Sequence, residues 1–319
     1  PFNVVSEHFM SVQSTQIKAA RPRHGRQYWR DAVQGYLFIM PVVLGLVLFV
    51  FGPMLVSLYL SFTEYSVLQS PIFIGFRNYV DMFTRPQLRV LQSLRVTVVF
   101  ALFSVPLTLA AALAAAVLIN QKLRGMRFFR TALYLPTVVP MVATVFVWGW
   151  LLNPQKGLIN ATLQFLGLPT GSWLSEPGTA LPTLIALSLW GIGPTMIIFL
   201  AGLQGVPESL YEAAKIDGAS NWRLFWNITL PQITPTIFFV LITGLIGTFQ
   251  YFVPAFILTQ GGPLYATYFY NLNLYEKAFR WQFMGLASAM AWLMFAIILV
   301  LTLILFRSSD AWVFYEVKK

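Results

Sequence analysis

The sequence has 319 residues, of which 57% are hydrophobic and only 10% are charged. Soluble domains usually carry about 25% charged residues, so this composition favours a polytopic membrane protein over a soluble or disulfide-stabilised one. The chain has no cysteine, and its only two histidines, His8 and His24, lie near the N-terminus. These counts argue against thiolate chemistry and against histidine-based chemistry in the membrane body. We therefore expect no catalytic residue and no metal site.

The net charge of +10 would suit a nucleic-acid-binding protein. Such a protein, however, carries its basic residues as a stripe on an element that fits a groove. Here the basic residues fall between long apolar runs, where they can instead orient the chain in a membrane. We expect a lipid membrane as a partner and no nucleic acid.

Six intervals contain no Asp, Glu, Lys or Arg, and each exceeds the roughly 20 residues that an apolar helix needs to cross a bilayer. We predict an all-α, polytopic membrane protein. Its six transmembrane helices are expected at about 36–62, 94–119, 131–152, 180–204, 233–258 and 283–306. The fifth charge-free interval continues beyond its span into a Tyr- and Asn-rich stretch that starts at Gly261-Gly262-Pro263. This stretch is predicted to be an interfacial loop.

The distribution of basic residues predicts the orientation of the spans. One side of the predicted topology holds 14 Lys and Arg residues and the other holds six, or seven with Arg95. The richer side is expected to be cytoplasmic, which places both termini there. We predict a basic, flexible tail at 1–30 without a secretory signal, a six-span domain at 31–306 and a second tail at 307–319. The basic N-terminal tail would favour an anionic inner leaflet.

The longest predicted cytoplasmic loop, 205–232, contains the signals of two short helices. Pro207 is expected to be the first helical residue, and Gly218 is expected to end this helix in a left-handed turn. Ser220 would cap a second helix, whose aromatic face of Trp222, Phe225 and Trp226 would pack against the membrane body. Pro231 is expected to open the next span.

Two interpretations of this loop remain open on physical grounds. It is either a rigid helix–turn–helix that transmits force from a soluble partner, or an interfacial amphipathic hairpin with no partner.

Within this loop, Glu212-Ala213-Ala214, Asp217-Gly218-Ala219 and Ile228-x-Leu230-Pro231 resemble the signature loop of bacterial binding-protein-dependent ABC importer permeases. The resemblance implies a type I importer permease fold in the bacterial cytoplasmic (inner) membrane. It also implies that the loop docks onto an ATPase subunit. The residues that would couple transport to ATP hydrolysis are Glu212, Ala213, Ala214, Asp217 and Gly218.

The same resemblance implies the partners of the chain. They are a second, homologous permease subunit in a heterodimer, two ATP-binding-cassette ATPase subunits and a soluble extracytoplasmic substrate-binding protein. No Gly-x-x-x-x-Gly-Lys-[Ser/Thr] phosphate-binding loop occurs in the sequence. ATP and Mg are therefore expected on the ATPase subunits, with no cofactor in this chain and no enzyme activity of its own.

Four further segments are similar to the carbohydrate branch of this family, which includes maltose and glycerol-phosphate permeases. They are Phe73-Ile74-Gly75-Phe76-x-Asn78-Tyr79, Asn153-Pro154 with Gly157 and Asn160, Gly261-Gly262-Pro263 with Thr267, and Gly285-x-Ala287-Ser288-Ala289. One position departs from the pattern, because Gln250 follows Phe249 where many relatives have an acid. The branch implies a sugar or oligosaccharide as substrate.

No ionisable residue lies in the middle of a predicted span, so the candidate substrate contacts are uncharged. The candidates are Ser188, Trp190, Thr195, Gly244, Thr248, Gln250 and Tyr251. Aromatic faces beside hydroxyl and amide groups suit neutral sugars. The hydroxyl and amide side chains among them could equally bond neighbouring helices.

Three other functions remain as alternatives. An ion-coupled secondary transporter would need a buried carboxylate or repeated halves with broken helices, and neither is found. A membrane-embedded enzyme would need a convergent acid, base, metal or nucleophile. A non-transporting scaffold would tolerate changes in the loop at 205–232.

Overall fold

The computed structural model describes residues 25–121 and 124–314. Most of the predicted N-terminal tail and the last five residues of the predicted C-terminal tail lie outside these ranges. The chain divides into two compact units, Pro1–Val56 and Ser57–Lys319. Helices dominate both units, as the sequence predicts.

In the first unit, α1 (Arg26–Leu46) continues through a π-helical turn, Val47–Phe51, into α2 (Gly52–Ser61), whose second half belongs to the second unit. Helix α1 already begins at Arg26, so its first turn overlaps the end of the tail predicted at 1–30. Tyr28 and Trp29 follow directly, and aromatic side chains of this kind favour a membrane interface. They extend the helix beyond the strictly apolar run.

The second unit contains a short β-hairpin that the all-α prediction lacks. Strands β1 (Thr63–Ser66) and β2 (Gln69–Phe73) pair antiparallel, with Thr63 opposite Phe73. The next helix, α3 (Arg77–Thr84), holds this hairpin through Asn78. The Nδ2 atom of Asn78 donates to the carbonyl oxygens of Ser61 at 2.9 Å and Thr63 at 2.8 Å. The motif that resembles carbohydrate permeases here is therefore a structural anchor.

The long helix α4 (Val90–Ile119) lies at the centre of the second unit, after a 3₁₀ turn at Pro86–Leu88. It packs against the helices of the predicted fourth and fifth spans. Its small residues Ala112 and Ala116 are fully buried against Met196 and Phe199. Small side chains at such a contact let two helices approach closely, which is how helices associate in lipid.

The predicted third, fourth and fifth spans are not single helices but bent pairs. The bends measure 98°, 52° and 64°. The paired helices are α5 (Met126–Tyr134) with α6 (Met141–Leu151), α8 (Pro177–Ser188) with α9 (Gly193–Gln204), and α11 (Asn221–Leu224) and α12 (Leu230–Gln232) with α13 (Thr234–Phe249). Counting each pair as one span, six helical segments of the described chain are long and apolar enough to cross a membrane.

Prolines explain where these helices break. Pro140 directly precedes α6, and Pro194 and Pro235 stand in the first turns of α9 and α13. A proline has no N–H group to continue the preceding helix, but it fits the first turn of a new one. The spans predicted at 131–152 and 180–204 are thus each interrupted within their length, and the break before α13 falls at the start of the span predicted at 233–258.

The remaining elements complete the outer part of the second unit. They are α7 (Leu158–Phe165), a π-helical turn at Ala255–Thr259, α14 (Tyr270–Tyr275), a second π-helical turn at Glu276–Arg280 and α15 (Met284–Ser309). The prediction of an interfacial loop after the fifth span is wrong for its centre, because Tyr270 and Asn273 are fully buried. Asn273 Nδ2 donates to Ser93 Oγ at 3.1 Å, so α4 supplies the polar partner that burial requires.

The start of α15 packs so closely on β1 that residue 285 must be glycine. A Cβ atom at Gly285 would overlap the carbonyl oxygen of Thr63 and lie 3.2 Å from Tyr65 N. Because overpacking of this kind costs about 1–3 kcal/mol, we expect Gly285→Ala to lower the Tm of the detergent-solubilised protein by several degrees. Gly178→Ala is the control, since nothing lies within 4 Å of a Cβ atom there. Equal Tm values for the two variants would contradict this packing.

Candidate functional site

Two neighbouring cavities of the second unit share Ser188 and Tyr251 in their walls. The first has a volume of about 450 Å³ and lies between the bends of the third and fourth spans. The second has a volume of about 310 Å³ and is bounded by α4, α9 and α13. Binding pockets for small molecules typically measure about 300–1,000 Å³, so each cavity is large enough to hold part of a ligand.

The second cavity brings together five of the seven candidate substrate contacts. They are Ser188, Thr195, Gly244, Thr248 and Tyr251. Trp190 lines the first cavity and remains 47% exposed.

Gln250 lies in neither wall. It follows the last residue of α13, its side chain is exposed, and its carbonyl oxygen accepts from Asn271 Nδ2 at 3.2 Å.

The walls of both cavities are uncharged. Among the described residues, no Asp, Glu, Lys or Arg lines either one. The hydroxyl protons of Ser188 and Thr248 are donated to carbonyl oxygens of their own chain segments, Ile185 at 2.6 Å and Gly244 at 2.7 Å. These two side chains do not bond neighbouring helices through their protons, and their oxygen lone pairs can still accept from a ligand.

Aromatic rings form a second feature of the walls. The ring of Tyr251 lies 4.5 Å from that of Phe100 and 4.9 Å from that of Phe269, and Trp148 meets Trp190 edge to face at 5.2 Å. Sequence reasoning missed Phe100 and Trp148, although Ser104 and Thr144, four positions from them, line the same cavities and could have marked these helix faces.

The loop at 205–232 forms two helices joined by the predicted left-handed turn. The first is α10 (Glu208–Ile216), and Gly218 has a φ of 77°. Ala219 N donates to Ala214 O at 2.9 Å across this turn. Ser220 then accepts from Arg223 N with its side chain and caps α11, as predicted.

Three expectations for this loop need correction. Pro207 is the N-cap of α10 rather than its first residue, since a proline before the helix leaves no N–H unpaired. The second helix is not short, because α11 continues through a π-helical turn, Phe225–Thr229, into α12. Pro231 therefore lies inside this helix, and the span opens after the break at Ile233.

The aromatic face of the second helix does not pack against the membrane body as predicted. Trp222 is 71% exposed, and Leu224 and Thr229 are the buried residues. The hydroxyls of Tyr211 and Thr229 lie 3.0 Å apart and join the two helices of the loop. The π-helical turn adds a residue to one helical turn and so shifts which face points inward.

The candidate coupling residues lie on the outside of this loop. Glu212, Ala213, Asp217 and Gly218 are exposed, and Ala214 is half-buried. Beside them, Ile216 is 87% exposed. In the described part of the chain, no group of three or more His, Cys, Asp or Glu side chains is placed to hold a metal ion.

Comparisons with known proteins identify the family. Residues 104–314 match the family described as "Binding-protein-dependent transport system inner membrane component". The probable ABC transporter permease protein YesP of Bacillus subtilis is 43% identical over 93% of this chain and 97% of its own length. The trehalose/maltose transport system permease protein MalF of Thermococcus litoralis is 32% identical over 86% of this chain and 93% of its own.

A solved structure shares the fold. The bacterial alginate ABC transporter, crystallised with an alginate pentasaccharide-bound periplasmic protein, contains a chain that matches with a TM-score of 0.79 and 24% identity. The match covers 89% of this chain and 96% of that one. The chain is thus a multi-pass membrane transport subunit rather than an enzyme, and the three alternative functions fall away. It belongs to the family of binding-protein-dependent inner membrane components, the permease subunits of ABC importers.

Proposed function

We propose that this chain forms half of a translocation pathway for a sugar or oligosaccharide that a soluble binding protein delivers. The observation that supports this most strongly is the second cavity, where hydroxyl groups and the Tyr251 ring meet without any charged side chain. Sugars combine hydroxyl groups with apolar ring faces, and such walls complement both. The MalF relative is a trehalose/maltose transport permease by name, which favours the same chemical class here.

The remaining partners follow from the family and from the exposed loop. A second, homologous permease in a heterodimer would supply the other half of the pathway, and two ATPase subunits would dock on the loop at 205–232. ATP and Mg would bind to those ATPase subunits. The excess of Lys and Arg on one side of the spans supports cytoplasmic termini, and with them a cytoplasmic position for this loop.

The geometry suggests how movement of the loop reaches the pathway. From Asn221 the second helix of the loop runs to Gln232, and after a 64° bend α13 continues to Phe249. Gly244 and Thr248 on α13 line the second cavity. When two ATPase subunits close on ATP and displace the loop, this connection would tilt α13 and change the side on which the cavity opens.

The deciding experiment is purification of the tagged complex in mild detergent, followed by reconstitution into liposomes with its binding protein. Uptake of maltose, trehalose and an alginate oligosaccharide would be measured with ATP and without it. We expect a second permease and an ATPase to co-purify and ATP to drive uptake of at least one sugar. A chain that purifies alone would contradict the proposed partners.

Substitutions at Gly218 test the coupling assignment. A φ of 77° is open to Gly and tolerable for Asn but not for Pro, whose ring fixes φ near −65°. We expect Gly218→Pro to reduce ATP-driven uptake at least about tenfold, while Gly218→Asn stays close to wild type. Membrane insertion, measured by the amount of the chain in the membrane fraction, should not change. Normal uptake in the Pro variant would contradict the coupling role.

Substitutions at Gly244 test the pathway assignment. A Cβ atom there would lie 3.8 Å from Val105 Cγ1 and 3.9 Å from Leu109 Cδ1, which is ordinary van der Waals contact. We therefore expect Gly244→Ala to fold and transport normally, and Gly244→Trp to place its ring in the cavity and block uptake. Co-purification of the ATPase should be equal in both variants. Full uptake by the Trp variant would show that substrate passes elsewhere.

A further inference from the structure

Helix α4 supplies a wall of the second cavity that no sequence motif marks. Its lining residues include two hydroxyl side chains, Ser104 and Thr108, which are four positions and therefore about one helical turn apart. The same cavity is also lined by the hydroxyl-bearing residues Ser188 and Thr248 and by the ring of Tyr251.

The hydroxyl groups nearer the N-terminus of α4, those of Ser93 and Thr97, form hydrogen bonds within the protein. Ser93 Oγ donates to Val90 O at 2.9 Å and accepts from Asn273 Nδ2. Thr97 Oγ1 donates to Ser93 O at 2.9 Å and accepts from Tyr270 N at 2.9 Å. Both side chains thus use donor and acceptor together: they donate to carbonyl oxygens of α4 and accept from residues of α14.

Ser104 and Thr108 differ from them. Ser104 is 3% exposed, and its Oγ has no hydrogen-bond partner among the described residues. The distance from Thr108 Oγ1 to Ser188 Oγ is 3.4 Å, which is longer than the 2.5–3.0 Å of ordinary hydroxyl–hydroxyl hydrogen bonds. A buried hydroxyl without a partner is unfavourable, so its presence on a cavity wall indicates a partner that arrives from the cavity.

We propose that Ser104 and Thr108 contact the transported sugar and donate hydrogen bonds to its oxygens. This inference rests on the proposed function and extends the pathway to the second span. The two walls complement each other, because Ser188 and Thr248 have given their protons to backbone carbonyls and can only accept. A sugar hydroxyl both donates and accepts, so it can bridge donors on α4 and the acceptors Ser188 and Thr248.

Uptake kinetics test this proposal. Ser104→Ala and Thr108→Val each remove a hydroxyl with little change in shape, and the wild-type complex is assayed with maltose and trehalose as probes. We expect KM to rise about two- to tenfold in each variant, as the loss of one hydrogen bond predicts, with the maximal rate and the amount of complex unchanged. The matched control is Thr302→Val, which removes the other buried hydroxyl without a described partner, on α15 outside both cavities.

The outcomes separate the two proposals. Normal wild-type transport with unchanged KM in both variants would overturn the role of α4 and leave the proposed function intact. An equal rise of KM in Thr302→Val would show that loss of any buried hydroxyl has this effect, and would overturn it as well.

A second measurement decides the matter when neither sugar is transported. The natural chain has no cysteine, so Thr108→Cys and Thr302→Cys each create its single thiol. The assembled complex is treated with 2-aminoethyl methanethiosulfonate, and labelling of this chain is followed by mass spectrometry. We expect position 108 to react at least about tenfold faster, because a substrate pathway admits water. Equal rates would mean that α4 does not line a hydrated path, whether or not an ATPase co-purifies.

Discussion

Buried hydrogen bonds attach α14 to the N-terminal part of α4, and the shape of the cavity region depends on them. Tyr270 N donates to Thr97 Oγ1, and Asn273 donates to the same helix. This attachment places Phe269 against the ring of Tyr251. Because polar groups away from water keep their protein partners, these bonds hold Phe269 beside Tyr251, the aromatic residue that lines both cavities. The helix pairs of the third, fourth and fifth spans remain bent.

Features specified by neighbouring residues could be predicted from the sequence. The charge-free intervals locate the apolar segments, and the turn at Gly218 with the cap at Ser220 follows from side-chain chemistry within a few positions. The bend angles could not be predicted, since a proline shows where a helix breaks but packing sets its direction. Burial of Asn273 also left no local signal, because its partner Ser93 is 180 positions away.

The candidate substrate contacts remain a prediction, but five of the seven line one cavity because they lie within or beside the helices of the fourth and fifth spans. Gln250 lies outside both cavities because its side chain is exposed in the turn after α13, whereas the next residue, Tyr251, lines both. Two segments that resemble carbohydrate permeases are supports rather than contacts. Asn160 binds Pro154 O and Gly171 O at 2.9 Å, and Thr267 binds Thr259 Oγ1 at 2.7 Å. Their side chains fix the turns in which they lie.

The exposed apolar side chains of the loop at 205–232 have a consequence for the cell. Ile216 is 87% and Trp222 71% exposed, on either side of the Gly218 turn. If the loop docks on an ATPase subunit as proposed, a copy of this chain without that subunit leaves both side chains exposed, and exposed apolar surface of this kind promotes aggregation. The proposed ATPase subunit would then also protect the permease from aggregation, because it would cover these two side chains.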